Sequence, residues 1–338
     1  MVKSPDVSVI VPVFNAGASL EASVQSLLDQ TLKNIEIIVV NDASTDSSAE
    51  TISRLESENG NIVAIHLTEN QGVHEARLTG LKKASAPWIG FLDADDFARP
   101  NMFEAMHRAA EQQAVDIVVC GSYRVTKERK PIAPKIRFKS SKKIESEVFE
   151  KFSRFEFGTG SLWNKLYHRE VMAPHADMHF PWRQSLNEDL LLNIGCFYKA
   201  ESVYVTHEVL HEYVLNESSV TSTTTNAKAY VYMYRAYALA VSSFSELGGD
   251  VLVRIINMYR AQLSWSSYII GDVSDIVVYE EELNEATELI YRSYPLALAL
   301  LPPRQHPARV GAKVALKALA RKGVSLLGLD AIVFKPRE

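Results

Sequence analysis

Trp88-Ile89-Gly90-Phe91-Leu92-Asp93-Ala94-Asp95-Asp96 runs an apolar segment directly into an acidic turn. A short continuous apolar run that ends this way fits a strand buried on both faces, with its carboxyl end open to solvent. The same transition recurs at Val7–Phe14 ahead of Asn15, at Ile35–Asn41 ahead of Asp42, and at Ile62–Leu67 ahead of Asn70; Ile117–Tyr123 has the same β-branched character. Between these runs Leu20, Val24, Leu27 and Leu28 share one helical face, and Asp46–Ser57, Val73–Ala84 and Met102–Gln112 pattern as helices. Strands alternating with helices predict an α/β fold with a doubly wound, mostly parallel sheet. Ligands of such sheets bind beyond the carboxyl ends of the strands, which places Asn15, Asp42, Asn70 and Asp93 on one edge.

With 338 residues the chain exceeds a single core of roughly 250–300 residues, so a large domain with a smaller one, or one extended domain, is expected. A net charge of −5 argues against a nucleic-acid binder, which needs a basic surface for the phosphates. Cys120 and Cys196 have neither CxxC spacing nor a histidine cluster beside them, so both are expected as buried fillers. Met1–Asp6 lacks the basic region and cleavage site of a signal peptide. No apolar window reaches the roughly 18 residues of a membrane span. A cytoplasmic location is the expectation.

Beyond Tyr123 the rhythm changes. Lys127–Lys143 is basic and proline-containing and is expected as a mobile surface excursion able to act as a lid. A helix is expected around Glu145–Phe157, an aromatic segment at Trp163–Tyr167, a helix at Asn187–Lys199 and a strand at Ser202–Leu215. Tyr230–Phe244, Leu252–Ile270 and Glu281–Tyr294 pattern as helices of a C-terminal subdomain over 222–300, which also offers a surface for homo-oligomer formation. In the tail, 301–338, Arg309, Lys313, Lys317 and Arg321 form one stripe at helical spacing, suited either to an anionic membrane surface or to a solvated helix.

Four constellations can carry chemistry. Asp93 and Asp95 supply hard oxygen ligands at a rigid strand end, as Mg²⁺ or Mn²⁺ requires; the alternative is an acidic turn that opens a helix. Asp42 can accept from an imide N–H such as that of uracil, while Ser44 or Thr45 can cap the following helix. In Asn70-Gln71-Gly72 the glycine permits close backbone approach, and Arg77, one turn into the next helix, can meet a base carbonyl, a phosphate or an ion-pair partner. Glu188 and Asp189 open a helix whose dipole favours their ionised forms. A catalytic base needs that ionised state.

Taken in order, Val9-Ile10-Val11-Pro12-Val13-Phe14-Asn15, Asn41-Asp42-Ala43-Ser44-Thr45-Asp46, Asn70-Gln71-Gly72, Ala76-Arg77, Phe91-Leu92-Asp93-Ala94-Asp95-Asp96, Trp163-Asn164-Lys165-Leu166-Tyr167 and Glu188-Asp189 resemble the bacterial glycosyltransferases of family 2, which have the GT-A fold. The resemblance spans Asp6 to Thr221 and implies a catalytic domain over 1–221, with nucleotide-sugar binding in 1–125 and the acceptor side and base in 145–221. It implies an inverting, Mn²⁺- or Mg²⁺-dependent transferase that moves a sugar from a nucleotide-diphosphate donor, UDP by expectation, to a glycan, glycolipid or cell-surface polymer. On the donor side it implies Pro12, Val13 and Asn15 about the nucleoside, Asp42, Asn70 and Arg77 near the base, and Asp93, Ala94 and Asp95 near the ribose and metal. Asp189 matches the base, with Glu188 beside it, and Trp163, Asn164 and Lys165 match the acceptor side.

One departure stands out. The family's Tyr-x-Arg-x-x-x-Ser pattern is met here by Tyr213-Val214-Leu215-Asn216-Glu217-Ser218-Ser219, without the arginine. Lys165 or a basic residue of Lys127–Lys143 is the candidate substitute, and His211 is an additional candidate metal ligand or diphosphate contact. Two other functions compete: a catalytically idle nucleotide-sugar-binding subunit of a synthase assembly, and a sugar-phosphate nucleotidyltransferase. The second needs a glycine-rich phosphate loop, for which Asn15-Ala16-Gly17-Ala18 is too sparse. A peripheral position on the inner face of the membrane follows if the tail binds lipid.

Overall fold

The computed structural model describes residues 4–158, 160–216, 224, 226–263 and 278–300. The chain divides into two compact units, Met1–Thr223 and Thr224–Glu338. The first unit runs β1 (Val7–Val13), α1 (Gly17–Leu28), β2 (Ile35–Asn41), α2 (Ser48–Glu58), β3 (Ile62–His66), α3 (Val73–Lys83), β4 (Trp88–Phe91), β5 (Phe97–Ala98), α4 (Met102–Gln113) and β6 (Ile117–Val125). It continues with β7 (Pro131–Ile136), β8 (Lys142–Ile144), α5 (Val148–Ser153), β9 (Lys165–His168), α6 (Arg169–Met172), α7 (Glu188–Lys199) and β10 (Val203–Val214).

The sheet order is β3-β2-β1-β4-β9-β6-β10-β5, with β7 added on β6 and β8 on β10. β1 is buried at every position, because helices cover both of its faces. Leu20, Val24 and Leu27 of α1, Ile52 and Leu55 of α2, and Phe103 and Met106 of α4 pack with Val9, Val11, Ile37 and Val39 in one cluster. On the opposite face α3 lies close because Gly80 has no side chain; a Cβ there would overlap Ile10. Parallel registers pair Val13 with Asn41 and Asn41 with His66, so the strand ends and the loops after them open on one edge. The α/β fold expected from the patterning is thus observed, with antiparallel additions that the patterning did not contain.

Chief among these is β9, which the segment Trp163–Tyr167 enters as an antiparallel strand between β4 and β6. Lys127–Lys143, expected as a mobile excursion, is instead built into the sheet: β7 pairs with β6, and β8 pairs with β10. Its backbone groups find ladder partners, which outweighs its polar composition. The helix expected over Glu145–Phe157 is limited to Val148–Ser153, with Glu147 and Phe155 on either side at φ of 54° and 56°. Cys120 and Cys196 are free and fully buried, as expected of fillers.

The second unit is helical over Asn226–Phe244, Gly249–Leu263, Glu280–Ser293 and Leu296–Leu300. Two of its buried tyrosines have their hydroxyls satisfied: Tyr234 lies 3.0 Å from Thr287 Oγ1, and Tyr237 donates to the Ala297 carbonyl at 3.0 Å. Among the described residues no helix is long and apolar enough to cross a membrane. The far end of the helix expected over Leu252–Ile270 and the whole basic tail lie outside the described residues.

Candidate active site

The first two strand-end loops are locked to each other. Asn15, at φ 50°, accepts from the Thr45 N–H at 2.8 Å and donates its own N–H to Ser44 Oγ at 3.0 Å. Ser44 and Thr45 thus fasten the Asn15 loop, and the residue before α2 is Ser47. Pro12 and Val13 are buried at the end of β1, whereas Phe14 is 47% exposed, so the open face of this loop belongs to Phe14 and Asn15.

Asp42 is 2% exposed, and its two carboxylate oxygens accept from the N–H groups of Gln71 at 2.7 Å and Gly72 at 2.8 Å. Gly72 sits at φ 97°, a conformation that glycine adopts without steric cost. Asn70 donates to the Asp42 carbonyl at 3.0 Å, while its own Oδ1 is buried without a hydrogen-bond partner. Asp42 therefore ties β2 to the start of α3, and each of its oxygens keeps acceptor capacity beyond the bond it makes.

Arg77 joins the two acidic constellations. It is 5% exposed, donates from Nη1 to Glu188 at 2.7 Å and from Nη2 to Asp93 at 3.0 Å, and leaves Nε buried without a partner. Of the alternatives open to it, the ion pair is the one formed. Burial opposes its charge, but Asp93, Glu188 and Asp189 together hold the guanidinium protonated more firmly than usual. Asp189 corrects an expectation: its place at a helix start suggested a depressed pKa, yet its carboxyl is pushed up to about 7, first by burial and then by the neighbouring Glu188 charge. Desolvation and like-charge repulsion outweigh the helix dipole, whose influence is modest.

At the other end of the acidic turn Asp95 is half-buried and lifted above its ordinary value, first by burial and then by the charge of Asp93, while a hydrogen bond with Asn216 opposes this. Asp93 and Asp95 are hard oxygen donors of the kind that could hold a divalent cation. Among the described residues no three or more His, Cys, Asp or Glu side chains converge on a metal-sized site. Ala94 is 9% exposed, and its carbonyl is anchored by Ser19 Oγ at 3.3 Å.

Asp96 and His211 turn inward. Asp96 accepts from the Val214 N–H at 2.8 Å, and its second oxygen faces His211 Nε2 at 3.4 Å. His211 is fully buried, stacks on Trp163 with centroids 4.2 Å apart, and places Nδ1 3.0 Å from Ser122 Oγ. Burial, reinforced by Lys135, pushes its pKa down to about 3. The expectation of His211 as metal ligand or diphosphate contact is corrected: its ring is enclosed between β6, β10 and Trp163.

The segment expected against an acceptor is likewise internal. Asn164 and Lys165 are fully buried, and Asn164 clamps β6 through the Cys120 carbonyl at 2.8 Å. Lys165 donates to Asn164 Oδ1 at 2.9 Å and to the Ser161 carbonyl, and burial lowers its pKa to about 7. Trp163, 5% exposed, presents its ring to His211 and Tyr213. Pairing β9 between two strands requires these side chains to fill the sheet's flank.

Arg183 had no motif to mark it, and Lys135 was marked only as one of the basic residues of Lys127–Lys143. Arg183 lies across Gly72, its Nε 3.1 Å from where a Cβ would stand, which is a second reason for glycine there. Its segment is held to α3 by His74, which stacks on Phe180 at 3.9 Å and bonds the Met178 carbonyl at 2.6 Å. Lys135 reaches the site only because β7 pairs with β6.

The glycosyl transferase family 2 profile matches residues 8–173. The uncharacterized glycosyltransferase EpsJ of Bacillus subtilis is 32% identical over 249 residues, 72% of this chain and 71% of that protein. The chain belongs to glycosyl transferase family 2. A cholesterol galactosyltransferase of Borreliella burgdorferi is 29% identical to this family 2 glycosyltransferase over 58% of the chain and 56% of its own length. The crystal structure of S. aureus TarS 1-349 in complex with UDP-GlcNAc superposes with a TM-score of 0.68 at 19% identity, covering 94% of this chain and 92% of that one, a likeness of fold.

Proposed function

We propose that the protein is an inverting, divalent-metal-dependent glycosyltransferase that uses a UDP-sugar and extends a glycan, glycolipid or cell-surface polymer. The observation that carries the proposal is the Arg77 bridge, which holds Asp93 of the strand-end turn and Glu188 of the base-bearing helix on one guanidinium. In this reading the donor-side and base-side carboxylates are joined through that guanidinium. The buried, unpartnered Asn70 Oδ1 and Arg77 Nε at the same edge supply polar atoms for a ligand. The TarS structure with UDP-GlcNAc, of the same fold, supports the choice of a UDP-sugar.

In this reading the acceptor hydroxyl oxygen bonds to the anomeric carbon while the bond from that carbon to the diphosphate oxygen breaks. The nucleoside diphosphate leaves with the electron pair, and the hydroxyl proton passes to Asp189. Asp95, with Asp93, would hold the divalent ion, whose charge favours departure of the diphosphate. Glu188 keeps Arg77 in place and adds the repulsion that makes Asp189 a stronger base than an ordinary aspartate.

A thermal-shift panel of nucleotide sugars with Mn²⁺ tests this reading. A donor at about a hundred times its dissociation constant stabilises the fold by roughly 2.7 kcal/mol, and the UDP-sugars should give the largest shift. Absence of any shift across the panel would count against a donor site. Asp95→Asn should weaken UDP binding in the presence of Mn²⁺ and leave metal-free binding nearly unchanged.

A further inference from the structure

The β6–β7 hairpin carries a cation to the rings that flank the acidic turn. Lys135 lies on β7 between Pro134, opposite Tyr123, and Ile136, opposite Ser122. Its ammonium stands 3.4 Å from the centroid of the Tyr213 ring and 5.6 Å from that of Trp163. Half-buried there, it forms no ion pair and no hydrogen bond among the described residues. Asp96, Asp93 and Asp189 all attract its charge, while burial and then Arg124 weigh against it and lower its pKa.

This arrangement differs from a surface lysine in two ways. An ammonium has three N–H donors, and aromatic faces answer its charge without satisfying those directional bonds. The two rings come from β10 and the segment entering β9, so the cation is held by parts of the fold distant in sequence. Meanwhile Tyr213-Val214-Leu215-Asn216, directly after the ring it stands on, contains no basic residue. Of the cations near the acidic turn, Arg77 is already bound to two carboxylates, whereas Lys135 is bound to none among the described residues.

We propose that Lys135 binds the diphosphate of the donor, its ammonium donating to the phosphate oxygen that gains charge as the sugar bond breaks. The inference rests on the donor-site reading given above. Lys165 is excluded from the role by its burial and its bonds to Asn164 and Ser161.

Calorimetry on the full chain with Mn²⁺ tests this with uridine, UMP and UDP as probes, on the wild type, Lys135→Gln and Lys135→Arg. A charge-assisted bond to the second phosphate predicts that Lys135→Gln weakens UDP binding roughly tenfold or more, leaves uridine and UMP within about twofold, and loses turnover in parallel. Lys135→Arg should restore part of the UDP affinity. Equal weakening for all three probes would mark Lys135 as a structural cation and overturn the proposal, as would unchanged UDP binding. A wild type that binds none of the three overturns the donor-site reading itself, and this inference with it.

Discussion

Arg77 and Glu188 form a 2.7 Å ion pair across 111 positions of sequence, with the arginine on α3 and the glutamate opening α7. The side chains are 6% and 9% exposed. Removing one partner of a buried pair costs about 3–5 kcal/mol, because the other charge is stranded. Arg77→Met should accordingly lower the unfolding free energy by that order in urea titrations, and Glu188→Gln by less, since Asp93 still answers the arginine. A variant Arg77→Met as stable as the wild type would show that the pair contributes nothing to the fold.

Asp189→Asn keeps the shape of the helix start and removes the base. Donor affinity by calorimetry should stay within about threefold, while turnover falls by roughly 10²–10⁴. Normal turnover would rule out Asp189 as the base.

The pH dependence follows from the same group. Asp189 is raised to about 7 from a reference of 3.8, so the free enzyme holds its proton to near neutrality. A base works only when ionised, so kcat/KM should fall about tenfold per pH unit below 7 and level off above it. For stability the sign is opposite: the contribution of the retained proton is fully present below 3.8 and is lost as pH rises through about 7. Asp189→Asn should flatten that part of the stability profile, as melting temperatures from pH 4 to 8 would show.

Gly80→Ala tests the close approach of α3 to the sheet. An alanine favours the helix by about 1 kcal/mol, but here its Cβ overlaps Ile10 and crowds Val40. Overpacking of this kind typically costs about 1–3 kcal/mol, so the variant should be neutral to destabilised by about 2 kcal/mol. A gain in melting temperature would mean that the helix shifts freely.

The sequence by itself determined the parallel half of the sheet, its covering helices and the edge on which Asn15, Asp42, Asn70 and Asp93 gather, because period and burial are local properties of each segment. It also determined which carboxylates stand at strand and helix ends. Only the tertiary structure decided what those groups touch. Arg77 meets Glu188 and Asp93 because two helices far apart in sequence converge, and Asp189 is raised because burial and Glu188 outweigh the helix dipole. His211, Asn164 and Lys165 carried motif signals yet turn inward, since β9 and β10 need their side chains to close the flank of the sheet. Lys135 lay in a stretch whose composition suggested a mobile loop. Strand pairing with β6, a long-range event that no local pattern encodes, sets it beside the carboxylates.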